Sequence, residues 1–223
     1  MGQNCLELSR EKKNILLIGD SHAAQLYHGF KENFSQHNVV QATASGCKPL
    51  LGALGDQRCM DLMQFMLHEY LTSTKIDAVV IAARWHEDDT SHMLPKTLEY
   101  LKNIASHVTV IGPIVEYSVG LPMILIREDF NPSESNIKSA YASRFILETP
   151  FQVSKTVAQT AADLGIEFAS PIDVICQERL CDVRTPTGMP MAFDNSHLTL
   201  DASTLVVSRL KNEGLLALLD REP

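Results

Sequence analysis

Asn14-Ile15-Leu16-Leu17-Ile18-Gly19-Asp20-Ser21-His22 decides the fold. Ile15 to Ile18 are consecutive branched aliphatic residues, and a glycine closes the run. Successive strand side chains point to opposite faces, so an apolar run without alternation reads as a strand covered by helices on both sides. From Ser21 to Phe34 the apolar residues switch to helical spacing. A buried strand followed at once by a helix is the opening of a βαβ unit.

The same alternation continues along the chain. Residues 37–43 read as a second strand and 44–58 as a loop rich in Gly and Pro. Residues 60–71 form an amphipathic helix, with Met60, Met63 and Met66 at core spacing. A third strand spans 76–82, a helix 91–106 and a fourth strand 108–112. Residues 151–164 read as a helix with Gly165 as its C-terminal cap. Residues 166–170 read as a fifth strand and 200–219 as a closing helix. Strands alternating with helices imply right-handed crossovers and a parallel sheet. The expected fold is α/β, a three-layer α/β/α sandwich on a parallel flavodoxin-like sheet. Residues 1–13 are expected to be a linker or N-terminal extension and 14–223 a single domain. Residues 113–148 are the least regular part and follow the C-terminal end of a strand. Open α/β sheets bind ligands at that edge, so this segment is either a lid or acceptor-binding segment, or a surface excursion.

The chain has 223 residues, 45% of them apolar and 21% charged, with a net charge of −8. That composition folds into a core. Without a basic cluster it does not neutralise phosphates, so nucleic acid is excluded as a partner. No stretch reaches the roughly 18 apolar residues that span a bilayer, and residues 1–14 hold no apolar signal-peptide segment. There are five cysteines. Cys47 and Cys59 flank the Gly-rich loop, and Cys176 and Cys181 are close in sequence. By spacing alone each pair is either a local disulfide or two buried thiols. Zinc is the rival, but no C-x2-C knuckle is present and no histidine stands at ligand spacing, so no metal is assigned.

Ser21 lies where a strand end meets a helix N-terminus. Free N–H groups and a partial positive charge gather there, and they suit a nucleophile beside developing negative charge. The alternative is that Asp20 or Ser21 merely caps the helix. Asp194-Asn195-Ser196-His197 precedes the closing helix. Asp-x-x-His puts an acid and an imidazole on one turn, with His197 as general base and Asp194 as its orienting partner; otherwise Asp194 caps and His197 is exposed. In a parallel sheet both loops fall on one edge, and it is their joint occurrence that points to acyl transfer.

At these residues the chain resembles the SGNH hydrolase family. Gly19-Asp20-Ser21 matches its nucleophile block and Asp194/His197 its acid-and-base block. The resemblance implies an oxyanion hole from the N–H groups of Ser21 and Gly46. The family's Gly-x-Asn-Asp block is replaced by Ala82-Ala83-Arg84-Trp85. Either Arg84 supplies a charged donor in place of the Asn, or the hole uses two backbone N–H groups. Arg84 otherwise pairs with Glu87 or Asp88, and Trp85 packs. His22 and Trp85 are assigned to substrate binding. His86 and His92 are expected to face solvent.

Together with Ser45-Gly46-Cys47-Lys48-Pro49-Leu50 and Asp194-Asn195-Ser196-His197-Leu198-Thr199, these residues resemble the SGNH domains fused to acyltransferase-3 membrane proteins. That resemblance implies O-acetylation of a bacterial surface polysaccharide such as O-antigen, with a stand-alone carbohydrate esterase or a glycan-binding module as alternatives. It implies a periplasmic domain of an inner-membrane protein, monomeric in isolation. No cofactor is bound; the acyl donor, acetyl from acetyl-CoA, arrives through the membrane domain of the same polypeptide. It also implies the disulfides Cys47–Cys59 and Cys176–Cys181, with Cys5 left over.

Overall fold

A computed structural model describes residues 6–128 and 137–220. Its main sheet has five parallel strands, β1 (Asn14–Gly19), β2 (Asn38–Thr43), β3 (Ala78–Ala82), β4 (Val108–Ile111) and β5 (Glu167–Ala169), in the order β2-β1-β3-β4-β5. β1 is an interior strand between β2 and β3, and Ile15 to Ile18 are all fully buried. Ile15 and Leu17 join one core cluster with the helices Tyr27–Asn33, Leu121–Glu128 and Leu200–Asn212. Leu16 and Ile18 join the other, with the helices Gln57–Gln64, Leu94–Ile104 and Thr149–Leu164. Two clusters on two faces are the reason the strand carries no polar alternation. Full burial of such side chains contributes roughly 1.5–3 kcal/mol each.

Several boundaries differ from the sequence expectation. The helix expected over 21–34 is two pieces, Ser21–Ala24 and Tyr27–Asn33. The chain turns between them through a bond from Leu26 N–H to the Ala23 carbonyl, which frees the Gln25 side chain for a contact described below. The helix expected from residue 60 begins at Gln57, because the Asp56 carboxylate accepts from Arg58 N–H and caps it. It runs through a π-helical stretch, Phe65–Tyr70, to Ser73. The expected 91–106 helix is a π turn, Asp89–Met93, followed by Leu94–Ile104. The last helix stops at Asn212, ahead of Gly214, and a short 3-10 turn follows. Gly165 caps Thr149–Leu164 in the left-handed conformation, φ 63°.

The irregular region is more ordered than its sequence suggests. Ile114, Val115 and Tyr117 are buried, and Leu121–Glu128 is a helix with Ile124 and Leu125 in the core. That part packs against the core; residues 129–136 of the expected segment lie outside the described residues. Leu6 and Leu8 pack against the core, so residues 6–13 lie on the domain.

Both disulfides are present. Cys47–Cys59 ties the loop after β2 to the helix that follows it. Cys176–Cys181 closes a two-stranded hairpin, β6 (Cys176–Gln177) with β7 (Leu180–Cys181). Cys5 lies outside the described residues. Met63 and Met66 are buried, Met60 is partly so, and His86 and His92 are exposed. Among the described residues no helix is long and apolar enough to cross a membrane.

Candidate active site

The site is assembled where β1 ends. At Gly19 the chain passes so close to β3 that a Cβ would lie 1.8 Å from the Ala82 carbonyl oxygen, and φ is +153°. Only glycine fits there. Asp20 follows, buried, and its carboxylate accepts from His22 N–H at 2.8 Å and Arg84 N–H at 3.0 Å. Asp20 therefore caps the short helix and fastens the β1 loop to the β3 loop. Burial holds its carboxyl above the usual carboxylate range, against the pull of these N–H donors. Capping falls to Asp20, and the Ser21 side chain is left half-exposed.

The second half comes from the loop before the last helix. Asp194 Oδ1 accepts from Ser196 N–H and His197 N–H, at 2.8 and 2.7 Å. Oδ2 lies 2.8 Å from His197 Nδ1, and His197 Nε2 lies 2.9 Å from Ser21 Oγ. An ionised carboxylate only accepts, so the proton of that first pair sits on Nδ1. Nε2 is then free to accept from Ser21 O–H. Burial pushes the Asp194 carboxyl up, but the two backbone donors and the imidazole outweigh it and leave the carboxyl below its ordinary value. Thr199, not Asp194, caps the last helix, accepting from Ala202 N–H.

The loop is held in place from behind. Tyr117 N–H donates to the Asn195 carbonyl at 2.8 Å and Leu121 N–H to the Asp194 carbonyl at 2.9 Å. Leu198 N–H donates to Gln25 Oε1 at 2.5 Å, so Gln25 ties the serine's helix to the histidine's loop. Phe193 stacks on His197 at 5.7 Å. The contacts of Tyr117, Leu121 and Gln25 had no sequence signal, because each joins segments far apart in the chain.

Beyond Ser21 stand the groups expected to face an oxyanion. Gly46 is exposed, and the N–H groups of Ser21 and Gly46 have no protein acceptor among the described residues. Arg84 pairs with neither Glu87 nor Asp88. Its guanidinium binds Glu116 through two bonds, Nε to Oε1 at 3.0 Å and Nη2 to Oε2. Glu116 follows β4, the neighbour of β3 in the sheet, so this partner is adjacent in space though distant in sequence.

The two residues assigned to substrate binding are both buried. Trp85 is 3% exposed and its indole N–H donates to the Ile111 carbonyl at 2.8 Å, so it is core. Its ring points away from solvent because β4 offers an acceptor there. His22 is also 3% exposed. Its ring lies edge-on to His197, centroids 5.0 Å apart, and neither ring nitrogen has a hydrogen-bond partner among the described residues. Burial, and after it the neighbouring His197 and Arg84, push its pKa down to about 3.

That depression has a consequence for stability. The unfolded chain takes up a proton on His22 below about pH 6.5, while the folded chain refuses it until about pH 3. The stabilisation is complete above the higher value and is lost as pH falls toward the lower. His22 should account for about 2 kcal/mol of lost stability between pH 7 and pH 5. Urea unfolding of wild type and His22→Phe at the two pH values checks this. The variant should lose less on acidification, and equal losses would refute the assignment.

Among the described residues no three His, Cys, Asp or Glu side chains are grouped to hold a metal ion. The model of the SGNH domain family, described as an SGNH domain fused to AT3 domains, matches residues 2–212. No curated protein sequence matches the chain. Among solved structures, the periplasmic domain of the Salmonella ser. Paratyphi A lipopolysaccharide acetyltransferase superposes with a TM-score of 0.80 at 22% identity, over 95% of this chain and 86% of that one. A carbohydrate acetylesterase from Sinorhizobium meliloti gives 0.56 at 15% identity, over 93% of this chain and 100% of that one. An aryl esterase from M. smegmatis gives 0.53 at 14%, over 92% and 99%. At these identities the superpositions establish the shared α/β fold.

Proposed function

This chain belongs to the family of SGNH domains fused to AT3 domains, and from that premise we propose that it passes an O-acyl group, acetyl, to a hydroxyl of a bacterial surface polysaccharide such as O-antigen. The observation that carries the reading is the continuous series from Asp194 through His197 to Ser21, with contacts of 2.8 and 2.9 Å. The acetyl group comes from acetyl-CoA through an AT3 membrane domain of the same polypeptide, and the domain works in the periplasm. Two disulfides fit an oxidising compartment. The comparison with a periplasmic acetyltransferase domain supports the same placement.

Ser21 Oγ attacks the donor's acyl carbonyl while its proton moves to His197 Nε2. Asp194 stabilises the imidazolium. The N–H groups of Ser21 and Gly46 face the oxygen that gains charge. The leaving group departs with the proton from His197, and the acyl group remains on Ser21. In the second half a sugar hydroxyl gives its proton to His197 Nε2 and attacks the acyl-serine, releasing the ester and restoring Ser21 O–H.

A second reading, a carbohydrate esterase, follows from the openness of the site. The side chains of His197 and Asp194 are 26% and 40% exposed, so water can reach the acyl-serine and take the sugar's place. The third, a glycan-binding module, uses none of this chemistry.

Product partition separates the readings. With p-nitrophenyl acetate as donor and polysaccharide as acceptor, acetylated glycan should exceed free acetate. Acetate alone, insensitive to glycan, favours the esterase. A fluorophosphonate probe that fails to label Ser21 favours the binding module.

A further inference from the structure

β1 lies between β2 and β3, and Gly19 is in register with Thr43 on one side and Ala82 on the other. The residues just past these three ends are therefore neighbours. Ser21 has Gly46 on its β2 side and Arg84 on its β3 side. Gly46 offers a backbone N–H. What Arg84 offers depends on how firmly it is held.

Arg84 is held at its backbone N–H, its carbonyl and one edge of its guanidinium. Its N–H donates to Asp20 Oδ2 at 3.0 Å, and its carbonyl accepts from Lys48 Nζ at 2.6 Å. Both partners belong to the loops that flank Ser21. Glu116 grips the guanidinium fork to fork and is itself buried, its side chain 10% exposed. The next residue, Tyr117, carries the N–H that fixes Asn195 in the acid-and-base loop. A guanidinium has five N–H donors, and Glu116 takes two of them. The rest have no protein acceptor among the described residues, and the side chain is 43% exposed.

We propose that the free edge of the Arg84 guanidinium, positioned by Glu116, is a third donor to the acyl oxygen on the β3 side of Ser21. This rests on the reading of Ser21 as nucleophile. The pairing with Glu116 matters electrostatically as well as geometrically. An unpaired cation would oppose the imidazolium that forms on His197. The carboxylate cancels the net charge and leaves directional N–H groups to donate. No proton or electron pair moves to Arg84; it contributes only in the state where the oxygen is negative. It is thus a catalytic residue by contact, and Glu116 a positioning residue.

The test uses this chain with p-nitrophenyl acetate. Arg84→Met combined with Glu116→Gln, which avoids leaving a buried carboxylate unpaired, should lower kcat by roughly 10²-fold to 10³-fold with KM little changed. Arg84→Ala alone keeps Glu116, and millimolar guanidinium chloride should restore part of its kcat. Glu116→Gln should give a smaller kcat loss that guanidinium does not rescue. Wild-type kcat in the double variant, or a loss confined to KM, overturns the assignment. Ser21→Ala in the same assay separates the two levels. If it stays active, the nucleophile reading falls; if it is inert while the double variant is unimpaired, only the role of Arg84 falls.

Discussion

Replacing Ser21 or His197 by alanine should lower kcat/KM for p-nitrophenyl acetate by roughly 10⁴-fold to 10⁶-fold, the range found when serine triads are dismantled. Ser21 Oγ and His197 Nε2 are 2.9 Å apart, so His197 is placed to accept the serine proton and loss of either group should remove covalent catalysis. Removing both should cost little more than removing either, because the two groups act as one unit. Asp194→Asn should fall less. Its side chain is 40% exposed, and water screens part of what the carboxylate does for the imidazolium. Its backbone acceptor role survives in the amide oxygen. Steady-state kinetics of the four variants measure this. A Ser21→Ala enzyme within tenfold of wild type would remove Ser21 from the chemistry.

Gly19→Ala should destabilise the fold by more than about 4 kcal/mol, the extreme of single substitutions. The added Cβ would meet the Ala82 carbonyl oxygen at 1.8 Å and Ala23 Cβ at 2.8 Å. Neither can swing aside: one is backbone inside the sheet and the other is a fully buried methyl. The φ of +153° adds strain that an L side chain rarely accepts. For a domain of this size the melting temperature should drop by roughly 8–16 °C. Gly52→Ala is the control. Its φ is also positive, +74°, but no atom lies within 4 Å of its Cβ, so it should lose only about 1 kcal/mol. Scanning calorimetry compares them. Equal losses would mean that backbone conformation, not the clash with β3, dominates at Gly19.

The two positions that carry the site were legible for different reasons. Ser21 follows a strand whose apolar run could only be a buried, parallel one, and the strand's end fixed where the serine would stand. His197 and Asp194 share one turn, and a three-residue spacing is short enough to be read directly. Arg84 was legible as a departure from a family pattern but not as a structure. The nearby Glu87 and Asp88 looked like partners, yet Glu116 holds it, because the neighbour of β3 in the sheet is β4. Trp85 and His22 flank Arg84 and Ser21 in sequence and were expected to share their exposure. In the structure Trp85 turns inward to donate to the Ile111 carbonyl, His22 lies on the buried side of its short helix, and both rings are buried.

Sequence by itself determined what depends on local order: the period of the apolar residues, the strand-to-serine junction, the Asp-x-x-His turn, and through family resemblance the cysteine pairing. The tertiary structure alone decided what depends on strand order. It aligned the strand ends that precede Gly46, Ser21 and Arg84, paired Arg84 with Glu116, put His197 against Ser21 across 176 positions of chain, and set Gln25 and Tyr117 behind the loop of Asp194 and His197. A periodic pattern records which face of an element is buried. It does not record which other element covers that face, since many apolar surfaces would serve equally well and only the packed chain selects one.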